Sequence, residues 1–297
     1  MSHPGLAEAV AELTGAEAAE PRRLGGGDAS AAYEVRLDDG RSVFAKAAPP
    51  NMPHALRAEA ASLRWLAEAG AARVPEVFGE DEQWLITEHV AEGSPTAEAA
   101  AEFGRALART HAAGATAHGC PPPGGPRDAW IGLAPMRNEP VADWPTFYGT
   151  LRVEPYVRRL VDAGTLHRSE AEPITELCER LSELPGADEA PARLHGDLWS
   201  GNVHWGRGPE DTTHVWLIDP AAHGGHRETD LAMLRLFGCP RLDQVLAAYE
   251  AETPLAPGWH ERVGIHQLFP LLVHGVLFGR GFARQAHSVA REALRSF

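Results

Sequence analysis

The sequence has little lysine. One lysine, Lys46, stands among 27 basic residues, so every other basic residue is an arginine. A lysine that persists where arginine has otherwise replaced it is a candidate for a role that needs a compact charge, because arginine presents a wider, planar fork. Chance survival is the alternative, and this count alone favours neither.

Cysteine and long apolar runs are also scarce. The three cysteines, Cys120, Cys178 and Cys239, are widely spaced and form no CxxC pair. This pattern predicts reduced thiols and, with them, a cytoplasmic location. No apolar run approaches the ~20 residues of a membrane span, and the first residues lack the basic and apolar regions of a signal peptide, so neither segment is expected.

Basic residues are also fewer than acidic ones. The chain of 297 residues carries 41 acidic and 27 basic residues, a net charge of −14. A positive field is needed to bind nucleic acid or an anionic membrane, so neither partner is expected. The length and the 44% of hydrophobic residues suffice for one large domain or two lobes.

Residues 1–90 have the pattern of a small β-rich lobe. An Ala- and Glu-rich helix is predicted over about the first 20 residues, before the glycine run Gly25–Gly27. Alternating apolar residues then predict a hairpin that ends at Lys46. A helix over residues 54–69 and two further strands follow.

Residues 91–297 have a mainly helical pattern. Ser94 is predicted as the N-cap of the first helix, and further helices are predicted over 143–162, over 168–184 and from residue 230 onwards. The sequence therefore predicts an α+β protein with a small, mainly antiparallel sheet followed by a larger helical lobe.

The first lobe holds three features that suit phosphate binding. Backbone N–H groups of Gly25, Gly26 and Gly27 can cover phosphate oxygens, Lys46 can neutralise them, and Glu59 on the following helix can pair with the lysine. Each feature has a simpler interpretation: a tight turn, a solvated lysine, and a surface glutamate paired with a nearby arginine.

The second lobe holds two acidic motifs in the order that a kinase requires. HGDLWSGN at residues 195–202 has the H-x-D-x-x-x-x-N spacing of a kinase catalytic loop, in which Asp197 is the base and Asn202 a metal ligand. An apolar strand then leads to Asp219, and Mg²⁺ prefers such oxygen ligands. The alternative is a turn in which Asp and Asn cap local backbone groups. Together the features predict a two-lobed protein-kinase-like fold.

The sequence resembles the fructosamine/ketosamine kinase family, a relative of the aminoglycoside and choline kinases. The resemblance rests on HGDLWSGN, on DPAAHGGHRETDLAM at residues 219–233 and on LFG at 236–238, and it spans about residues 24 to 285. It implies ATP-dependent phosphorylation of the sugar 3-hydroxyl of a ketosamine, either a small molecule or a glycated protein lysine. A monomer is favoured.

The resemblance also implies a set of roles. Asp197 would be the catalytic base, and Asn202 and Asp219 would bind Mg²⁺. Lys46 would contact the ATP phosphates and pair with Glu59.

Further residues receive roles on the same ground. Glu88 to Val90 would be the hinge whose backbone meets adenine. Trp199 would offer a face to the sugar, with a packing role as the alternative. Asp230 would brace the catalytic loop from behind.

Three residues depart from the family pattern, so the sequence does not determine which sugar is the substrate. Met136 stands where a Gln is usual, Val273 where an Asn is frequent, and His223 where an aromatic residue is common. An aminoglycoside-type or other small-alcohol phosphotransferase is the alternative enzyme. An inactive nucleotide-binding pseudokinase is the alternative outside catalysis, although Lys46 and Asp197 are both present.

The histidines do not predict a metal site. Five of them cluster in sequence without HxxxH spacing or a nearby cysteine: His195, His204, His214, His223 and His226. We expect capping, core and solvent roles for them, and a core role for His111 on its helical stripe.

Overall fold

The structure is a computed structural model. It describes residues 5–25, 30–184, 186, 188–208 and 211–295. A sheet-containing N-terminal part precedes a larger helical part, so the predicted α+β arrangement is confirmed. The boundary between lobes at residue 90 stays a prediction; it falls between the last strand of the first sheet, which ends at Glu88, and the helix that begins at Ala97.

The first part is an antiparallel sheet with one helix on each face. Its elements are α1 (Leu6–Thr14), β1 (Ala18–Leu24), β2 (Ala32–Leu37), β3 (Ser42–Ala47), α2 (Ala55–Glu68), β4 (Val77–Glu80) and β5 (Trp84–Glu88). The strand order is β1-β2-β3-β5-β4. Successive strand residues face opposite sides, so Ile86 packs in the cluster that holds α1, whereas Leu85 packs against α2. Lys46 lies on β3, the central strand.

The predicted first helix is too long. It ends at Thr14, because Gly15 adopts a left-handed conformation at φ 71° that terminates the helix. The residues up to Leu24 form β1 instead, an exposed edge strand that pairs only with β2. An edge strand tolerates Pro21, whose missing N–H would break a central strand.

The second part combines helices with three two-stranded pairs. Its elements are α3 (Ala97–Ala112), β6 (Asp128–Ile131), β7 (Ala134–Arg137), α4 (Trp144–Phe147), α5 (Glu154–Asp162), α6 (Arg168–Glu179), β8 (Ala192–Leu194), β9 (Val203–Arg207), β10 (Thr213–Leu217), β11 (His223–Gly225), α7 (Glu228–Phe237), α8 (Leu242–Glu252), α9 (Trp259–Phe278) and α10 (Arg280–Ala293). The antiparallel pairs are β6–β7, β8–β11 and β9–β10. The last two carry the loops of the site.

Two predicted helix boundaries were wrong. The N-cap of α3 is Thr96, whose side chain accepts a hydrogen bond from the Ala99 N–H, and not Ser94. The helix predicted over 143–162 is interrupted by a π-helical turn, Tyr148–Val153, between α4 and α5. Pro155 at the start of α5 has no N–H to donate, so a regular α-helical ladder cannot run through this point.

The core of the second part forms around α9. This helix is apolar on most sides, as expected for a helix surrounded by others, and it packs against α5, α7 and α10. Trp144, Phe147 and Tyr148 are buried in the same core, so this aromatic cluster has a packing role. Among the helices of the described residues, none has the length and apolar character needed to cross a membrane.

Candidate active site

The predicted catalytic loop closes on itself through Asn202. The Asn202 amide nitrogen donates to the backbone oxygen of Asp197 at 2.8 Å and to its carboxylate at 3.2 Å. The Asn202 side-chain oxygen has no protein partner among the described residues. The loop thus fixes the Asp197 carboxylate and presents an amide oxygen beside it.

The β9–β10 hairpin brings Asp219 to the same place. Leu217 on β10 pairs with Val203 on β9, and the Ile218 N–H donates to the Asn202 carbonyl at 3.1 Å. This register places Asp219 next to Asn202 although the two are distant in sequence. The Asp219 backbone has a φ of 49°, in the left-handed region that residues other than glycine seldom adopt.

Lys46 links the first lobe to this loop. Its ammonium group lies 2.7 Å from Glu59 Oε2 and 2.9 Å from Asp219 Oδ1, and the lysine side chain is 18% exposed. Lys46 is placed by β3, Glu59 by α2, and Asp219 by the hairpin of the second lobe. Three separate elements therefore meet at the single lysine of the chain.

Asp230 holds the catalytic loop from behind. Its carboxylate accepts hydrogen bonds from the backbone N–H groups of His195, at 2.7 Å, and Gly196, at 3.0 Å. The position of Asp230 in the first turn of α7 directs it at this loop. This geometry fits the bracing role that the resemblance implies.

His111 is a site residue that sequence reasoning missed. Its Nε2–H donates to Asp230 at 3.2 Å, while its Nδ1 accepts from the Tyr249 hydroxyl at 2.8 Å. It is buried, as expected, but it serves the catalytic loop rather than the apolar core. Its place on a helical stripe gave no signal of this contact, which crosses 119 positions of sequence.

Gly196 is required by a close backbone approach. It has a φ of 84°, and a Cβ built there would lie 2.1 Å from the carbonyl oxygen of Ala221. The Ala221 N–H in turn donates to the His195 carbonyl at 3.0 Å. The catalytic loop and the segment after Asp219 are therefore in direct backbone contact.

The electrostatics of the site suit a cation. Burial and the nearby negative charge of Asp219 raise the pKa of Asp197 to about 7. Burial likewise raises the pKa of Glu59 to about 7, against the opposing effect of Lys46. Burial would raise the pKa of Asp219 too, but Lys46 holds it below its usual range. One lysine thus faces three carboxylates, an excess of negative charge that a divalent cation would balance.

A cleft of about 180 Å³ opens beside Lys46 and contains the predicted hinge. Its apolar lining suits a flat ring and comes from both lobes: Leu24, Phe44, Leu63, Val90 and Ile218. Glu88 lies at the same wall. The Val90 carbonyl accepts a hydrogen bond from His204 at 3.0 Å, whereas its N–H has no acceptor among the described residues.

The glycine run is described only in part. Gly25 follows Leu24, a residue of the cleft wall, whereas Gly26 and Gly27 lie outside the described residues. Their predicted contact with phosphate stays a prediction.

Trp199 lies at the surface of the catalytic loop. Its side chain is 41% exposed, so it is not a core tryptophan. A Cβ added to Gly201 would lie 2.3 Å from its ring, so the ring packs closely against that glycine. A stacking role toward the sugar stays a prediction.

The three departures from the family pattern do not line the surface of the site. Met136, Val273 and His223 are each 1% exposed. Met136 and Val273 belong to the core around α9, and His223 contacts Phe147 of that core. Relative to the family pattern, these residues therefore alter the packing beneath the site and not its surface.

One buried histidine cluster has ligand-like spacing. The side-chain ligand atoms of His226, Glu228 and His266 lie within 4.8 Å of one another. Both carboxylate oxygens of Glu228, however, accept hydrogen bonds from the Arg262 guanidinium, at 2.9 and 2.6 Å. His226 Nε2 donates to the Gly186 carbonyl. The Glu228 carboxylate is thus already paired with an arginine.

A family model and similar proteins of known family identify the family of this chain. The family model described as fructosamine kinase matches residues 4–296. The chain belongs to the fructosamine kinase family. A protein-ribulosamine 3-kinase from Arabidopsis thaliana is 30% identical over 283 residues, 92% of this chain and 82% of the relative.

Solved structures agree with this family assignment. A protein from Thermobifida fusca, described as a candidate fructosamine-3-kinase, is 44% identical, with a TM-score of 0.90 over 99% of this chain and all of that one. A macrolide 2′-phosphotransferase is only 17% identical, with a TM-score of 0.60 over 94% of each chain, and shares the fold. The two-lobed kinase-like fold is thereby confirmed.

Proposed function

We propose that this fructosamine kinase family member transfers the γ-phosphoryl group of ATP to the 3-hydroxyl of a ketosamine. The observation that carries the proposal is the convergence of Lys46, Glu59, Asp197, Asn202 and Asp219 beside one cleft. The proposed position of attack follows the names of relatives, a protein-ribulosamine 3-kinase and a ketosamine-3-kinase. The acceptor is a small ketosamine or a glycated protein lysine, and we place the enzyme in the cytoplasm.

In this reaction the sugar O3 bonds to phosphorus, the bond to the β-phosphate oxygen breaks, and ADP leaves. Asp197 accepts the hydroxyl proton. Its pKa of about 7 keeps it a competent acceptor at neutral pH. Most of the rate must come from alignment and charge neutralisation, because the transition state is loose and spreads charge over the phosphoryl oxygens. Lys46 supplies fixed positive charge for this purpose.

Residues of this site suit Mg²⁺. The Asn202 side-chain oxygen has no protein partner among the described residues, and the Asp219 carboxylate lies beside it on the neighbouring strand end. Both are hard oxygen donors, the type that Mg²⁺ prefers. A magnesium ion held there would supply further positive charge to the phosphate oxygens.

The predicted hinge and Trp199 complete the proposal. Adenine would lie between the apolar walls of the cleft, with the free Val90 N–H as its backbone donor. The exposed Trp199 ring would stack on the sugar. Both assignments concern residues at the surface of the cleft or its loop, where a ligand can reach them.

Loss of the Asp219 carboxylate should raise the magnesium requirement. We expect Asp219→Ala to lower kcat and to increase the Mg²⁺ concentration needed for half-maximal activity by about tenfold or more, since a hard anionic ligand is removed. The measurement is a Mg²⁺ titration of ATP turnover at saturating ATP. A titration curve that overlays that of the wild type would show that Asp219 is not a ligand.

An acceptor screen tests the substrate class. Fructosyl- and ribulosyl-amines, free and on a glycated peptide, are compared with aminoglycosides, choline and homoserine by ADP release. We expect turnover with the ketosamines and not with the other alcohols, and mass spectrometry of the product should place the phosphate on O3. Turnover confined to an aminoglycoside or choline would establish the alternative enzyme. Tight ATP binding without any turnover would indicate a pseudokinase.

A further inference from the structure

Arg152 is a buried cation without a carboxylate partner among the described residues. It is 1% exposed and lies in the π-helical turn between α4 and α5, an irregularity that is frequent at functional sites. Its guanidinium lies over the rings of Phe147, at 4.7 Å, and Phe269, at 5.5 Å. A buried charge held in this way needs other hydrogen-bond partners.

Neutral groups supply those partners. The guanidinium donates to the carbonyls of Arg137, at 2.8 Å, and Leu151, at 3.2 Å, and to the Asn138 side-chain oxygen at 2.6 Å. One donor, Nε–H, is directed away from this set toward His223 Nε2 at 3.4 Å. Three neutral oxygens therefore hold the guanidinium in place, and its remaining contact is with the His223 imidazole.

The contacts of both ring nitrogens of His223 agree on its tautomer. An arginine N–H can only donate, so His223 Nε2 must accept and its ring proton must be on Nδ1. The Nδ1–H then donates to the Ala221 carbonyl at 2.9 Å. Burial and the charge of Arg152 lower the pKa of His223 to about 3, so the ring stays neutral at physiological pH.

Ala221 connects this chain of contacts to the site. Its carbonyl is packed against Gly196, and its N–H donates to the His195 carbonyl at 3.0 Å. Two residues earlier, Asp219 has its left-handed backbone at φ 49°. Such a conformation is uncommon in residues other than glycine and persists where the flanking chain is held.

The flanking chain is held on both sides. Before Asp219, the Ile218 carbonyl accepts from the His195 ring at 3.0 Å, and its N–H donates to Asn202. After Asp219, the Ala221 N–H donates to the His195 carbonyl, and the Ala221 carbonyl accepts from the His223 ring. The last of these contacts is the one that Arg152 orients.

We propose that Arg152 is a positioning residue that acts through His223 and Ala221 to hold Asp219 in the backbone conformation required for cation binding. The inference rests on the proposed role of Asp219 as a metal ligand. It gives a role to a buried arginine that does not line the nucleotide cleft. His223 transmits the effect of this arginine to Ala221 as a single Nδ1–H tautomer.

The test measures cation binding directly. Mn²⁺ is titrated into the protein saturated with a non-hydrolysable ATP analogue, and free Mn²⁺ is followed by electron paramagnetic resonance. We expect Arg152→Met and His223→Gln each to weaken Mn²⁺ binding by about tenfold, because the chain that follows Asp219 loses one of its anchors and loss of support for a metal ligand costs affinity on this order. The double variant should be no weaker than the single ones, because both residues act in one chain of contacts.

Two further variants separate positioning from general destabilisation. Tyr156→Phe removes a hydrogen bond to the Pro135 carbonyl in the same core and should leave Mn²⁺ affinity unchanged. His223→Asn can keep a donor near Ala221 but cannot reach Arg152, and should bind Mn²⁺ with intermediate affinity. In nitrogen-15 spectra, the wild-type His223 ring should be a single Nδ1–H tautomer, and Arg152→Met should lose that preference.

The outcomes are distinct. Mn²⁺ affinities of folded Arg152→Met and His223→Gln within twofold of the wild type would overturn the inference; if Arg152→Met does not fold, His223→Gln alone decides it. Asp219→Ala serves as the reference. If it too leaves Mn²⁺ affinity unchanged, the metal-ligand role in the proposed function fails instead.

Discussion

Asp197→Asn should lose turnover by a factor on the order of 10² or more while keeping its fold and its affinity for ATP. The asparagine can still accept the hydrogen bond from Asn202, so the loop geometry is retained, but it cannot take the hydroxyl proton. Single-turnover phosphoryl transfer to a ketosamine, with nucleotide affinity measured separately, gives the two quantities. An unchanged kcat in the folded variant would exclude Asp197 as the base.

The same variant should be more stable than the wild type in the absence of metal. The pKa of Asp197 in the folded protein is about 7, above the ~3.9 of an unfolded aspartate. Between these values the unfolded state binds fewer protons, so this group lowers the free energy of unfolding as the pH rises from about 4 to 7. Asp197→Asn removes the cost, and we expect a gain of about 1–3 kcal/mol at pH 8 that shrinks toward pH 5.

Denaturant unfolding in a metal chelator at the two pH values measures this gain. The matched control is Asp81→Asn, the same change at an exposed residue of the turn before β5, outside the site. Equal stability of Asp197→Asn and the wild type at pH 8 would mean that the carboxylate is not held at an electrostatic cost. A rise in stability with a loss of turnover is the behaviour expected of a catalytic group.

Local sequence patterns were sufficient for the elements that carry the reaction. The hairpin that ends at Lys46 and the helix that carries Glu59 have strong apolar periodicity, and spacing alone pointed to Asp197 and Asn202, whose side chains meet in the fold. The meeting of Lys46 with Asp219, by contrast, spans 173 positions. The order and spacing of the motifs implied this contact only because the motifs resemble those of a known family.

Long-range contacts explain what the sequence could not provide. The edge strand β1 contains Pro21 and charged residues, so it has no strand periodicity; only pairing with β2 makes it a strand. His111 has the helical spacing of a core residue, and nothing in its neighbourhood indicates Asp230 as its partner. Arg152 is likewise unremarkable in sequence, because the Phe147 and Phe269 rings that bury it come together only in the fold.

Lys46→Arg should lose nearly as much activity as Lys46→Ala, on the order of 10²-fold, although it keeps the charge. The ammonium group fits between Glu59 and Asp219 at 2.7 and 2.9 Å, on a side chain that is mostly buried. A guanidinium is wider, planar and carried farther from the backbone, so it cannot replace a compact charge between two carboxylates. Glu59→Gln should lose less, about tenfold, because it removes the anchor and keeps the cation.

Steady-state kinetics of the three variants tests this order, and the single lysine permits an independent chemical measurement. An amine-selective reagent can modify only Lys46 and the N-terminal amine of this chain. If Lys46 contacts the phosphates, Mg-ATP should protect it, while the N-terminal amine serves as an internal control that labels equally in both samples. Peptide mapping with and without nucleotide measures the protection. Clear labelling of Lys46 that Mg-ATP does not reduce, or a fully active Lys46→Arg enzyme, would mean that the one lysine persisted by chance and that the phosphate charge is neutralised elsewhere.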